Sequence, residues 1–106
     1  MPKYLFIGSY TAEGARGLLK EGGSARRKVA EETIRSAGGS VEAYYFGFGS
    51  DDFYLIADLP DHASAAAVSL TVGSSGAITI RTVVLMTPEE LDAAAQKSVS
   101  YRAPGH

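Results

Sequence analysis

Four stretches of the chain carry hydrophobic side chains at both odd and even positions: Tyr4-Leu5-Phe6-Ile7, Val41 to Phe48, Phe53 to Leu59 and Ile78 to Met86. A strand with one face in water alternates apolar and polar residues, so these strands need cover on both faces. The helices that the rest of the chain can form are too few to provide it. The pattern therefore predicts a sheet whose second face is buried against a partner subunit or around a ligand.

The first strand is expected from Lys3 to Tyr10, where aromatic and β-branched residues concentrate. A helical turn begins after Thr11 and ends at Gly22-Gly23. Ser24 is the expected N-cap of a second helical piece reaching Ala37, with Val29, Thr33, Ile34 and Ala37 on one face. Two strands follow, joined at Gly49-Ser50-Asp51-Asp52, whose composition is that of a hairpin turn. Pro60 ends the second of them, and Asp61 caps an Ala-rich helix to about Val72. The last strand runs from Ala77 to Met86. Thr87-Pro88-Glu89-Glu90 then opens a short helix with an N-cap, a proline at N1 and an acid at N3.

This order, β-α-β-β-α-β with a terminal helix, is the ferredoxin-like α+β arrangement. One domain is expected over residues 1–97, followed by a tail, 98–106, that docks on a neighbour. Right-handed crossovers put both main helices on one face of a four-stranded antiparallel sheet and leave the other bare. Strands of about 20 Å at a spacing of about 4.8 Å give that face roughly 400 Å², the limit a soluble monomer tolerates. Self-association into a homodimer, or a higher oligomer, is the expected remedy.

Composition narrows the functional classes. At 106 residues, 45% apolar and 21% charged, the chain has the make-up of a folded globular domain. A net charge of −2 supplies no broad attraction to nucleic acid or an anionic membrane, so neither is an expected partner. There is no cysteine, hence no disulfide or thiol chemistry. No apolar run reaches the roughly 18–20 residues of a membrane span. The segment after Lys3 is too short for a secretory signal, so a cytoplasmic location is expected.

The stretch from Gly8 to Arg27, Gly-Ser-Tyr-Thr-Ala-Glu-Gly-Ala-Arg-Gly-Leu-Leu-Lys-Glu-Gly-Gly-Ser-Ala-Arg-Arg, is dense in glycine. Together with Ala43-Tyr-Tyr-Phe, Ala57-Asp-Leu-Pro60 and the Thr87-Pro-Glu-Glu90 helix start, it resembles the GYD-domain family of small bacterial proteins. That resemblance spans nearly the whole chain. It implies a dimeric α+β barrel in which two sheets meet face to face, in agreement with the bare-face argument. The Gly-x-Tyr-Asp motif of the family stands here as Gly49-Ser50-Asp51-Asp52, so Asp51 occupies the tyrosine position.

Candidate chemistry is sparse. His62 and His106 have no partner at ligand spacing, so no metal, haem or other cofactor is expected. Asp51-Asp52 reads as turn chemistry. The glycine-rich segment lacks G-x-x-x-x-G-K-[ST] spacing, and the strand order supplies no parallel βαβ nucleotide unit. Arg26, Arg27 and Lys28 lie in the first turn of a helix, where a bound anion is favoured, and Lys20 approaches the same end. The plain alternative is that these are solvated surface residues. There is no G-x-S-x-G elbow and no histidine placed to activate a serine.

Strand parity supplies the remaining candidates. Phe53, Leu55, Ala57 and Leu59 form an apolar set, against the mixed set Asp52, Tyr54, Ile56 and Asp58. Ile78, Ile80, Val84 and Met86 contrast with Thr79, Arg81, Val83 and Leu85. In the first strand, Leu5 and Ile7 are assigned to the helix side, and Tyr4, Phe6, Gly8 and Tyr10 to the other. On that assignment Tyr10, Tyr44, Tyr54, Asp58 and Arg81 line a ligand pocket, with Gly8 leaving room for Asp58 and Arg81 to meet. The plain alternative is that these residues make the subunit contact. Three functions follow: a small-molecule binder taking an anionic or aromatic ligand, a cofactor-independent enzyme of monooxygenase or isomerase type by fold analogy, or a purely structural module.

Overall fold

Eight elements follow one another along a computed structural model of the chain, which describes residues 1–47 and 49–106. They are β1 (Lys3–Tyr10), α1 (Ala12–Glu21), α2 (Gly23–Ser36), β2 (Ser40–Phe46), β3 (Phe53–Asp58), α3 (His62–Ser74), β4 (Ile78–Leu85) and α4 (Pro88–Ala95). The strands form one antiparallel sheet in the order β2-β3-β1-β4, which is the ferredoxin-like topology. The second strand ends before its expected limit, and Phe48 lies outside the described residues.

Local chemistry sets the boundaries. Thr11, Asp61 and Thr87 cap α1, α3 and α4 through side-chain oxygens that accept from Gly14, Ser64 and Glu90 backbone N–H groups. At Thr87 the Glu90 carboxylate accepts in return from the Thr87 N–H, completing a capping box. The expected cap Ser24 does not act as one. Gly22, at φ 88°, ends α1 and starts α2 in a single residue, so Ser24 already lies inside the helix.

Helices cover one face of the sheet. Tyr4, Phe6, Leu55, Ala57 and Leu59 pack there with Ile34 of α2 and with Ala65 and Val68 of α3. The face assignment of β1 is thus the reverse of the expected one. Tyr4 and Phe6 point toward the helices, and Lys3, Leu5, Ile7 and Ser9 share the open face with Tyr54, Ile56, Asp58, Arg81, Val83 and Leu85. Two contacts explain the inversion. Tyr4 is 1% exposed because its hydroxyl shares a 2.6 Å hydrogen bond with His62 Nδ1 at the start of α3. Lys3, at the opposite parity, donates to Glu42 at 2.6 Å and to Asp58 at 2.9 Å.

Gly8 also faces inward. A Cβ there would overlap the Phe53 ring, which lies across β1 from the neighbouring strand. Gly8 therefore opens no space on the face that carries Arg81 and Asp58, and these two stand opposite different β1 residues, Ile7 and Lys3. Arg81 instead meets Asp51 at 2.9 Å, while Asp58 is held by Lys3. Among the described residues no helix is long and apolar enough to cross a membrane.

Candidate functional site

The two helical connections do not close over the sheet. Between α2 and α3 lies an apolar pocket of about 50 Å³, floored by Phe6, Phe53, Leu55 and Ile80. It shares Arg26, Val29, Thr33, Val72 and Ile78 with a wider groove of about 610 Å³ bounded by α1, Tyr10 and Lys20. The two form one cleft on the helix side of the sheet. Its size falls within the range of small-molecule sites, roughly 300–1,000 Å³.

Each wall has a sequence cause. Gly14 lets α1 sit directly on the turn before β4, since a Cβ there would overlap the Ala77 carbonyl oxygen. Thr11 locks the same junction, its N–H donating to Ala77 O at 3.0 Å and its hydroxyl to Gly76 O at 2.9 Å. Tyr10, the last residue of β1, packs its ring 5.7 Å from that of Phe53. Tyr44 of β2 stacks on the same ring at 5.8 Å, with only 6° between the planes. Phe53 therefore organises one end of the cleft: Gly8 makes space for it and two tyrosines flank it.

Arg26 enters from the first turn of α2, which contains no acidic residue. Its Nη1 lies 3.6 Å from Glu21 Oε2, a loose ion pair. Its Nε is buried and has no hydrogen-bond partner among the described residues, and the same is true of the Tyr10 hydroxyl. The Tyr10 and Tyr44 hydroxyls are close enough to influence each other, yet no geometry between them satisfies the Tyr10 oxygen. Burial first, and then this neighbouring hydroxyl, push the Tyr44 phenol far above the ordinary tyrosine value, with Arg26 opposing. Tyr44 thus stays protonated and serves as a donor.

The expected site residues divide between two faces. Tyr10 and Tyr44 join Arg26 and Lys20 around the cleft. Arg27 turns away, beside Gly23, Ser24 and Phe46 in a separate shallow groove. Tyr54, Asp58 and Arg81 lie on the open face of the sheet, where the two charged residues are already paired. The Asp51 and Asp52 side chains, expected to serve the turn itself, reach other strands instead: Asp52 accepts from the Tyr10 N–H at 2.8 Å and Asp51 holds Arg81. Sequence reasoning passed over Phe53, Val29, Thr33 and Glu21 as site residues. Val29 and Thr33 read only as one face of the second helix and Phe53 as part of an apolar strand set, and nothing in the spacing of Glu21 marks it as a partner of Arg26. Among the described residues no group of three or more His, Cys, Asp or Glu side chains is placed to hold a metal ion.

The family model described as GYD domain matches residues 4–95 of the chain. The structure is also similar to the crystal structure of NE2512, a protein of unknown function from Nitrosomonas europaea. That similarity covers 81% of this chain and 90% of that one, at 17% identity and a TM-score of 0.44. No curated protein matches the chain.

Proposed function

The chain belongs to the GYD-domain family, and we propose that it binds a small molecule with an anionic head and a flat apolar body in the helix-side cleft. The observation that carries this reading is the pair of orphaned donors in the cleft wall, the Tyr10 hydroxyl and Arg26 Nε. A buried donor without a partner costs about 1–3 kcal/mol, and folded proteins leave few of them. Both belong to side chains rather than to backbone, so a rotamer change brings either one to a bound acceptor.

A carboxylate, sulfonate or phosphate oxygen matches what is missing. It accepts from both donors and from the Tyr44 hydroxyl, and it offsets an arginine that Glu21 reaches only at 3.6 Å. The amino-terminal turn of α2 adds positive potential with no acid to cancel it. The apolar floor between α2 and α3 suits a ring or short hydrocarbon. The raised Tyr44 phenol supports binding over proton abstraction, because a group held protonated is a donor and not a base.

Phenylbutyrate, an anionic head on a flat apolar body, is a direct probe. In an isotope-labelled titration its shifts should concentrate on Tyr10, Tyr44, Arg26 and Val72, and Arg26→Met should remove them. Native mass spectrometry of the purified protein should also show a retained small molecule. Shifts confined to the open sheet face, or unchanged in Arg26→Met, would defeat the proposal.

A further inference from the structure

Arg26 does not face the cleft alone. Glu21, the last residue of α1, borders the same groove, its carboxylate 3.6 Å from Arg26 Nη1. An acid so close to an anion subsite repels any ligand whose only charge is a carboxylate. It favours one that carries its own cation beside the head. From this we infer that the ligand is a zwitterion, an α-amino acid with an apolar side chain, and that Glu21 is the residue that selects it. The inference rests on the cleft reading and adds the ligand's second charge.

The ion pair itself is incomplete. A charge-assisted N–H···O bond measures about 2.7–2.9 Å, and this pair stands well beyond that. Arg26 Nε has no partner among the described residues, and Glu21 enters no other ion pair among them. Each side chain therefore keeps capacity for a second, closer partner of opposite sign.

The charge of the groove agrees. Lys20 and Arg26 border it together with Glu13 and Glu21, so its ionisable groups cancel. A site for a bare anion gains from a surplus of cations. A neutral groove with both signs in it suits a ligand that is neutral overall and charged at two neighbouring groups.

Spacing then sets the class. In an α-amino acid the ammonium and the carboxylate stand on one carbon. With the carboxylate on Arg26 and the Tyr10 hydroxyl, the ammonium reaches Glu21, and four charges alternate in sign around a ring whose protein edge is 3.6 Å. The third substituent of that carbon points inward. The apolar pocket floored by Phe6, Phe53 and Leu55 opens beside Arg26, which lines pocket and groove alike. The Glu21 side chain is 48% exposed against 26% for Arg26, so the ammonium stays at the wet mouth and loses little hydration. A partly exposed pair of this kind adds about fivefold in affinity.

Homophenylalanine is phenylbutyrate with an ammonium on the carbon beside the carboxylate, so the two form a matched pair for isothermal calorimetry on the full-length protein. Homophenylalanine should bind about fivefold more tightly. Its enantiomers should differ in affinity, because Arg26, Glu21 and the apolar pocket fix three groups on one carbon. Glu21→Gln should reverse the order, strengthening phenylbutyrate, which loses a repulsive neighbour, and weakening homophenylalanine, which loses a partner. A merely structural role for Glu21 would move both ligands the same way. Equal affinities in the parent protein, or a parallel shift in Glu21→Gln, would overturn the inference; the cleft reading would survive if Arg26→Met still abolished binding of both. Absence of binding by either compound would remove the cleft reading and this inference with it.

Discussion

Replacing Tyr10 by phenylalanine should make the ligand-free protein more stable and the ligand-bound protein weaker. The change removes one oxygen and keeps the ring that packs 5.7 Å from Phe53. That oxygen is buried with no partner of acceptable geometry among the described residues. An unsatisfied buried hydroxyl costs about 1–3 kcal/mol. Its proximity to Tyr44, enough to help raise that phenol, recovers part of this, so a net gain of about 1 kcal/mol is expected on deletion. For a domain near 100 residues, 1 kcal/mol moves the melting temperature by about 4 °C.

Urea unfolding followed by circular dichroism measures the difference, and an unchanged slope would confirm that the unfolded state is not what moved. Protein concentration must be equal in both samples, because self-association would shift the midpoint. Phenylbutyrate affinity should fall by about tenfold in the same variant, the value of one hydrogen bond to a charged group. A variant destabilised by about 1 kcal/mol or more would mean that the hydroxyl has a native partner. The orphaned-donor argument for the cleft would then fail at its origin.

Gly14→Ala and Gly17→Ala should move stability in opposite directions although both lie in α1. Alanine favours a helix over glycine by about 1 kcal/mol and meets nothing within 4 Å at position 17, but at position 14 its methyl overlaps the Ala77 carbonyl. The first variant should lose about 1–3 kcal/mol by urea unfolding, and stabilisation of both would show that α1 is not seated on β4. Asp61 titrates below its ordinary value because the Ser64 side chain and then the Ser64 N–H hydrogen-bond to it. Its contribution is therefore fully present above the unfolded carboxylate value, about pH 4, and fades as pH falls through the lower folded value. Asp61→Asn keeps a capping side chain without the charge, so its midpoint should approach that of the parent protein as pH drops; a gap constant with pH would exclude this linkage.

What the sequence made legible is the capping grammar. Thr11, Asp61 and Thr87 each announced a helix that is present, because a side-chain acceptor at an N-cap is a local device that needs no tertiary knowledge. Local reasoning failed at Ser24, where Gly22 with its positive φ took over both ends of a helix junction. The candidate site was less legible for a related reason. Tyr10 and Tyr44 were grouped with Tyr54, Asp58 and Arg81, although they lie on opposite faces of the sheet, because parity sorts a strand into two sets without saying which set is inside. Tyr44 and Arg26 come to line one pocket through the seating of α2 on the sheet, and no spacing in the chain reports that angle.

Given the strand register, the inside face of β1 follows from two residues. Lys3 sits opposite Asp58 in the register, so an ion pair assigns the odd positions to the open face. Gly8 sits opposite Phe53, and a strand glycine beside a large ring means that the ring lies across the strand. A ring of that size comes to rest on a glycine only where the face is packed, since in water it gains nothing by lying flat. Gly8 is therefore an inward residue, and Tyr4, Phe6 and Tyr10 must follow it. The glycine assigned to leave an empty space on the open face was the marker of a filled one on the other side, and it is the same filling ring against which Tyr10 and Tyr44 pack.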